Sequence, residues 1–151
     1  MNGTVMVTDP CYEPLNGCNQ LVHSVLTGNW YCEVRTKNCG AWGKRISSLT
    51  IRHANYPKGK IDEYVGSAGV DSGQCGFFDP EYYDKNQPDD DFDNLQSWYR
   101  RVCELTLNEP EWGTIENAGV VASSGYGDGC YPIYACRERS GFVVGLKIKF
   151  I

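Results

Sequence analysis

Apolar and polar residues alternate along most of this chain, and a period of two predicts strands. The last run is the most regular. In residues 142–150, Phe142, Val144, Leu146, Ile148 and Phe150 fall on one side, and Lys147 and Lys149 on the other. One apolar and one wet face suit an antiparallel sheet, in which this strand is expected to be central. Further strands are predicted over 5–8, 30–35, 46–52, 64–71, 75–79, 119–123 and 131–137. In 30–35, Trp30, Cys32 and Val34 oppose Tyr31, Glu33 and Arg35.

One segment changes period. Over 92–107 the apolar positions Phe92, Leu95, Tyr99, Val102 and Leu105 recur at steps of three or four, the stripe of an amphipathic helix. Asp89, Asp90, Asp91 and Asp93 would favour its N-terminus, with Arg100 and Arg101 further on, and Asn108 and Pro110 would end it. The acidic run 84–93 lacks the spacing of an EF-hand calcium loop and is expected to be a solvated helix start. The predicted fold is therefore mostly β in the α+β class. A β sandwich or curled antiparallel sheet carries one amphipathic helix, in a single domain over 1–151.

With 151 residues, 41% apolar and 13% aromatic, the chain is long enough for a real core. Its 17 glycines and 10 tyrosines agree with β structure and tight turns. The net charge is −5 and no basic cluster is evident, so neither nucleic acid nor membrane is expected as a partner. A small anion held by loop amides and one or two arginines stays open. No apolar run reaches membrane-spanning length and no leader is evident, so a cytoplasmic location is expected. The eight cysteines are read as reduced packing thiols, with disulfides or metal as the alternatives; no Cys-x-x-Cys is present.

Candidate chemistry gathers in three segments. Residues 124–132 read Ser-Gly-Tyr-Gly-Asp-Gly-Cys-Tyr-Pro, residues 70–76 read Val-Asp-Ser-Gly-Gln-Cys-Gly, and residues 9–12 read Asp-Pro-Cys-Tyr. The first has two readings. In one it is a hairpin connection with an Asp-Gly turn. In the other, Gly125, Gly127 and Gly129 shape a ligand cradle in which Tyr126, Asp128 and Tyr131 make contact, with Asp71 and Gln74 as polar neighbours. The alternative chemistry is a metal-dependent hydrolase built on Asp9, Asp71, Asp79 and Asp128. Nucleophilic signatures and phosphate-loop motifs are missing, so no catalytic residue and no cofactor are expected.

These three segments, with the final strand, resemble the motifs of an uncharacterised family of small bacterial and bacteriophage proteins, a domain of unknown function. The resemblance implies a bacterial cytoplasmic setting and no particular reaction. In a phage it suggests an anti-defence binding protein that holds a nucleotide signal or a host protein. The expectation is thus a non-enzymatic binder of a small polar ligand such as a nucleotide, possible as a homo-oligomer. A protein-facing inhibitor using Trp42, Tyr82 and Tyr83 is a third reading.

Overall fold

The structure, a computed structural model, describes residues 3–14, 18–83, 94–115 and 117–151. Two five-stranded antiparallel sheets pack face to face. The first has the order β2-β1-β6-β8-β7, formed by β1 (Thr4–Thr8), β2 (Gln20–His23), β6 (Gln74–Phe78), β7 (Trp112–Ile115) and β8 (Gly119–Ser123). The second has the order β3-β4-β10-β9-β5, formed by β3 (Trp30–Asn38), β4 (Lys44–His53), β5 (Glu63–Val70), β9 (Gly129–Arg137) and β10 (Val143–Lys149). The C-terminal strand is central in its sheet, as its pattern predicts.

The core lies between the sheets. Val5, Val7, Phe77, Val120 and Ala122 of the first meet Leu49, Ile51, Ile133, Leu146 and Ile148 of the second. A second core covers the opposite face of the first sheet. There helix α1 (Trp98–Leu107) sets Trp98 and Val102 against Met6, Phe78 and Val121. The first sheet is thus buried on both faces, and all five residues of β6 are buried. The second sheet keeps its outer face open. There the wet positions of β3, β4 and β10 stand side by side.

Three expectations are corrected. The helix begins at Trp98, not at 92, because Asn94 holds a turn ahead of it and the Ser97 hydroxyl caps it, accepting from Arg100 N at 3.2 Å. Leu95 is accordingly 60% exposed, and Arg100 and Arg101 sit in the first turn. Phe92, Asp89, Asp90, Asp91 and Asp93 lie outside the described residues. In β10 a bulge between Val143 and Gly145 breaks the alternation, so Phe142 is exposed while Leu146, Ile148 and Phe150 still face the core. Finally, 124–128 closes no hairpin, the first of its two readings, and it shares its course with 71–73. Each carries the chain from one sheet to the other.

Candidate functional site

Those two crossings run side by side. Val70 pairs with Gly129 in the second sheet and Gln74 with Ser123 in the first. A two-stranded ribbon therefore bends as one piece from sheet to sheet, and Ser124 N–H donates to Gly73 O at 2.9 Å across the bend. The bend explains its glycines. Gly73, Gly125 and Gly127 have φ of 73°, 71° and 104°, a region that L side chains avoid.

Asp9 brings the third segment to the same corner. Its fully buried carboxylate accepts from Cys11 N at 2.9 Å, Asp71 N at 2.8 Å, Ser72 N at 2.6 Å and Ser72 Oγ at 2.6 Å. A carboxylate removed from water needs this number of donors. The three segments therefore converge, and they converge on one another. Burial together with the neighbouring Asp9 pushes the Cys11 thiol up to about 12. Burial likewise raises Cys75.

The predicted contact residues divide. Tyr131 is 9% exposed, packs its ring on Phe150 and donates its hydroxyl to Gly127 O at 2.7 Å, so it is a strut of the corner. Gln74 is 2% exposed, and its amide is taken up by Cys103 and Thr106 of the helix. Asp71, Tyr126, Asp128 and Gly129 are exposed, Gly127 is half-buried and Gly125 is buried. Several amides of the corner are already engaged: those of Cys11, Asp71 and Ser72 on Asp9, Ser124 on Gly73 and Gly127 on Ser124. The outward side chains are two carboxylates and a phenol, which do not suit an anion.

The four-aspartate metal site is corrected as well. Asp79 follows Phe78, which pairs with Met6, whereas Asp9 follows Thr8, which pairs with Gly76. The two residues thus lie four positions apart along the strands, about 13 Å between backbones. Asp79 Oδ1 instead accepts from Glu81 N at 3.0 Å in a turn. Among the described residues no group of three or more His, Cys, Asp or Glu is placed to hold a metal ion. Tyr83, expected as an exposed anchor, is buried, whereas Tyr82 and Trp42 are exposed.

A better-equipped surface lies on the open face of the second sheet. A cleft of about 480 Å³ has Ser48 and Thr50 of β4 in its floor, and Arg35, Arg52, Lys60, Lys147 and Lys149 around it. Register places them together. Thr50 stands between Glu33 and Lys147, and Ser48 between Arg35 and Lys149. The two carboxylates in its wall are answered locally, Glu33 by Arg35 at 2.6 Å and Asp62 by Lys60 at 2.7 Å. Arg52 donates to Gly59 O at 3.0 Å, which steadies the segment folded over the sheet, and Lys147 Nζ lies 5.6 Å from the Tyr134 ring centre. Among the described residues, Arg52, Lys147 and Lys149 form no ion pair with a carboxylate, and they stand beside two hydroxyl groups. By contrast, a slot of about 340 Å³ at the open edge, lined by Trp30, Tyr31, Ile51, Ile115 and Val120, has no charged side chain in its lining.

Sequence reasoning missed this surface, although a signal was present. Residues 34–61 hold Arg35, Lys37, Lys44, Arg45, Arg52, Lys58 and Lys60 and no Asp or Glu, inside a chain of net charge −5. Lys147 and Lys149, the wet positions of the last strand, join that stretch only through the β4–β10 pairing.

Residues 49–148 match the family described as "Protein of unknown function (DUF4241)". No curated protein and no solved structure matches the chain.

Proposed function

Because the chain belongs to the DUF4241 family, whose description carries no activity, we propose a function from its geometry: it is a non-enzymatic binding protein for a small anionic ligand of the nucleotide class. The ligand sits in the cleft on the outer face of the second sheet. The observation that carries this is the pairing of Arg52, Lys147 and Lys149 with the hydroxyls of Ser48 and Thr50 in one cleft. Cations and hydroxyl donors on a rigid sheet suit phosphate oxygens, and the volume suits a mononucleotide or small dinucleotide. The glycine corner contributes rigidity to the molecule and lies outside the lining of the cleft.

A bacterial or bacteriophage setting and a cytoplasmic location belong to the same proposal, and they rest on the motif resemblance. There such a protein would act by holding a nucleotide signal, and it would release the ligand unchanged.

Calorimetric titration with AMP and with a cyclic dinucleotide tests the proposal. Binding should weaken as salt rises, since exposed charges are screened. The pair Lys147→Glu with Lys149→Glu should lose at least about tenfold in affinity, by the cost of reversing close charges. Recovered ligand should be chemically intact. Absence of binding, or equal binding by the double variant, would overturn it; turnover of the ligand would overturn its non-enzymatic part.

A further inference from the structure

The cations of the open face do not stop at the cleft. Along β4 the alternation that turns Ile46, Leu49 and Ile51 inward leaves Arg52, Thr50 and Ser48 outward, and past the bulge at Arg35 it leaves the Lys37–Arg45 pair outward. From Arg52 to Arg45 this stripe runs about 23 Å. It ends at the tip of the β3–β4 hairpin, where Trp42 closes a 3-10 turn, Gly40–Trp42. Trp42 is 66% exposed and meets the 58% exposed Tyr126 edge to face, with ring centres 6.1 Å apart. Arg45 Nε donates to Trp42 O at 3.0 Å, which sets a guanidinium beside the rings.

We infer that this stripe is a track for single-stranded nucleic acid, with phosphates along Arg52, Lys147, Lys149, Arg35, Lys37 and Arg45 and an unpaired base against Trp42 and Tyr126. It rests on the cleft being an anion site, and extends it. Two large, mostly exposed aromatics meet at the hairpin tip and offer ring surface to a ligand. A charged groove ending in an aromatic platform is the arrangement that holds single strands, because every base has a stackable face. The platform is rigid. Tyr126 stands between Gly125 and Gly127 of the locked corner, and Trp42 lies in a turn closed by Cys39 N–H to Gly43 O at 2.8 Å and Gly43 N–H to Gly40 O at 2.9 Å. A duplex keeps its bases stacked on one another and offers none to the two rings, so the single strand is the better fit. An acidic peptide would use the cations and leave the rings without purpose.

Fluorescence anisotropy of a labelled eight-nucleotide oligouridylate on the full chain is the test, alongside AMP, a blunt duplex and an oligoglutamate peptide. The oligomer should bind more tightly than AMP and than the duplex, with a salt slope that falls in Lys37→Glu with Arg45→Glu. Trp42→Ala with Tyr126→Ala should weaken the oligomer by about tenfold or more, the scale of one lost base stack. Both side chains are exposed, so these variants should fold, which circular dichroism checks. If AMP and the oligomer bind equally and the aromatic variants change nothing, the track is overturned and the cleft stands. If neither AMP nor the oligomer binds, both fall. Oligoglutamate binding as tightly as the oligomer, indifferent to Trp42, would replace the nucleic acid by an acidic protein and overturn the track.

Discussion

Asp9 and Ser72, 63 residues apart, are joined by two hydrogen bonds of 2.6 Å, one from the Ser72 backbone N–H and one from its hydroxyl. With Cys11 and Asp71 as further donors, this buried carboxylate fastens the segment after the first strand to the bend between the sheets. The glycine-rich segment packs on the same bend through Gly73 and Ser124. The three unusual segments are thus one structural joint.

Removing the carboxylate should therefore harm the fold and spare the chemistry. Asp9→Ala leaves three backbone N–H groups and a hydroxyl without their acceptor, and should cost about 3 kcal/mol of stability. Urea denaturation reads this directly. An unchanged midpoint would mean that the corner is held by other contacts.

The glycines separate backbone strain from steric clash. At Gly127 a Cβ would meet nothing within 4 Å, so Gly127→Ala carries only the penalty of φ 104°, about 1–2 kcal/mol. At Gly125 the same atom would lie 3.0 Å from Ile46 O and 3.1 Å from Ile151, so Gly125→Ala should cost more, about 3 kcal/mol. Thermal melts of the two variants should rank in that order. The reverse order would refute this account of the bend.

Thiol chemistry should follow burial. At pH 8 a disulfide reagent should modify exposed Cys130 first and reach Cys75, which is wholly buried, only on unfolding. The same burial gives a pH dependence. In the unfolded chain a thiol ionises from its ordinary 9.0 upward, whereas in the fold Cys11 keeps its proton to about 12. The folded state therefore holds more protons in that interval, and stability should fall as pH rises through it, after a plateau below 9 with respect to this group. Denaturant midpoints between pH 8 and 11 check the sign; a rise would contradict it.

The strands were legible because a sheet with one wet face prints its alternation directly. Residues 30–35 and the Leu146–Phe150 half of the last strand are examples. The helix start was not, because a stripe of apolar residues continues through Leu95 while the capping chemistry of Asn94 and Ser97 decides where helix begins. The glycine-rich crossing allowed a hairpin reading because turn residues specify a reversal or a bend and do not say which sheet the next strand joins. The cleft was least legible. Ser48, Thr50, Lys147 and Lys149 are each visible as non-core positions, but only the β4–β10 register makes them neighbours. The acid-free stretch 34–61 was the available clue.

The most direct measurement is a two-dimensional amide NMR titration of the ¹⁵N-labelled protein with AMP. The account predicts saturable shifts at Arg35, Ser48, Thr50, Arg52, Lys147 and Lys149, and little change at Asp71 and Gly125–Asp128. Shifts confined to the glycine corner, or none at all, would contradict it.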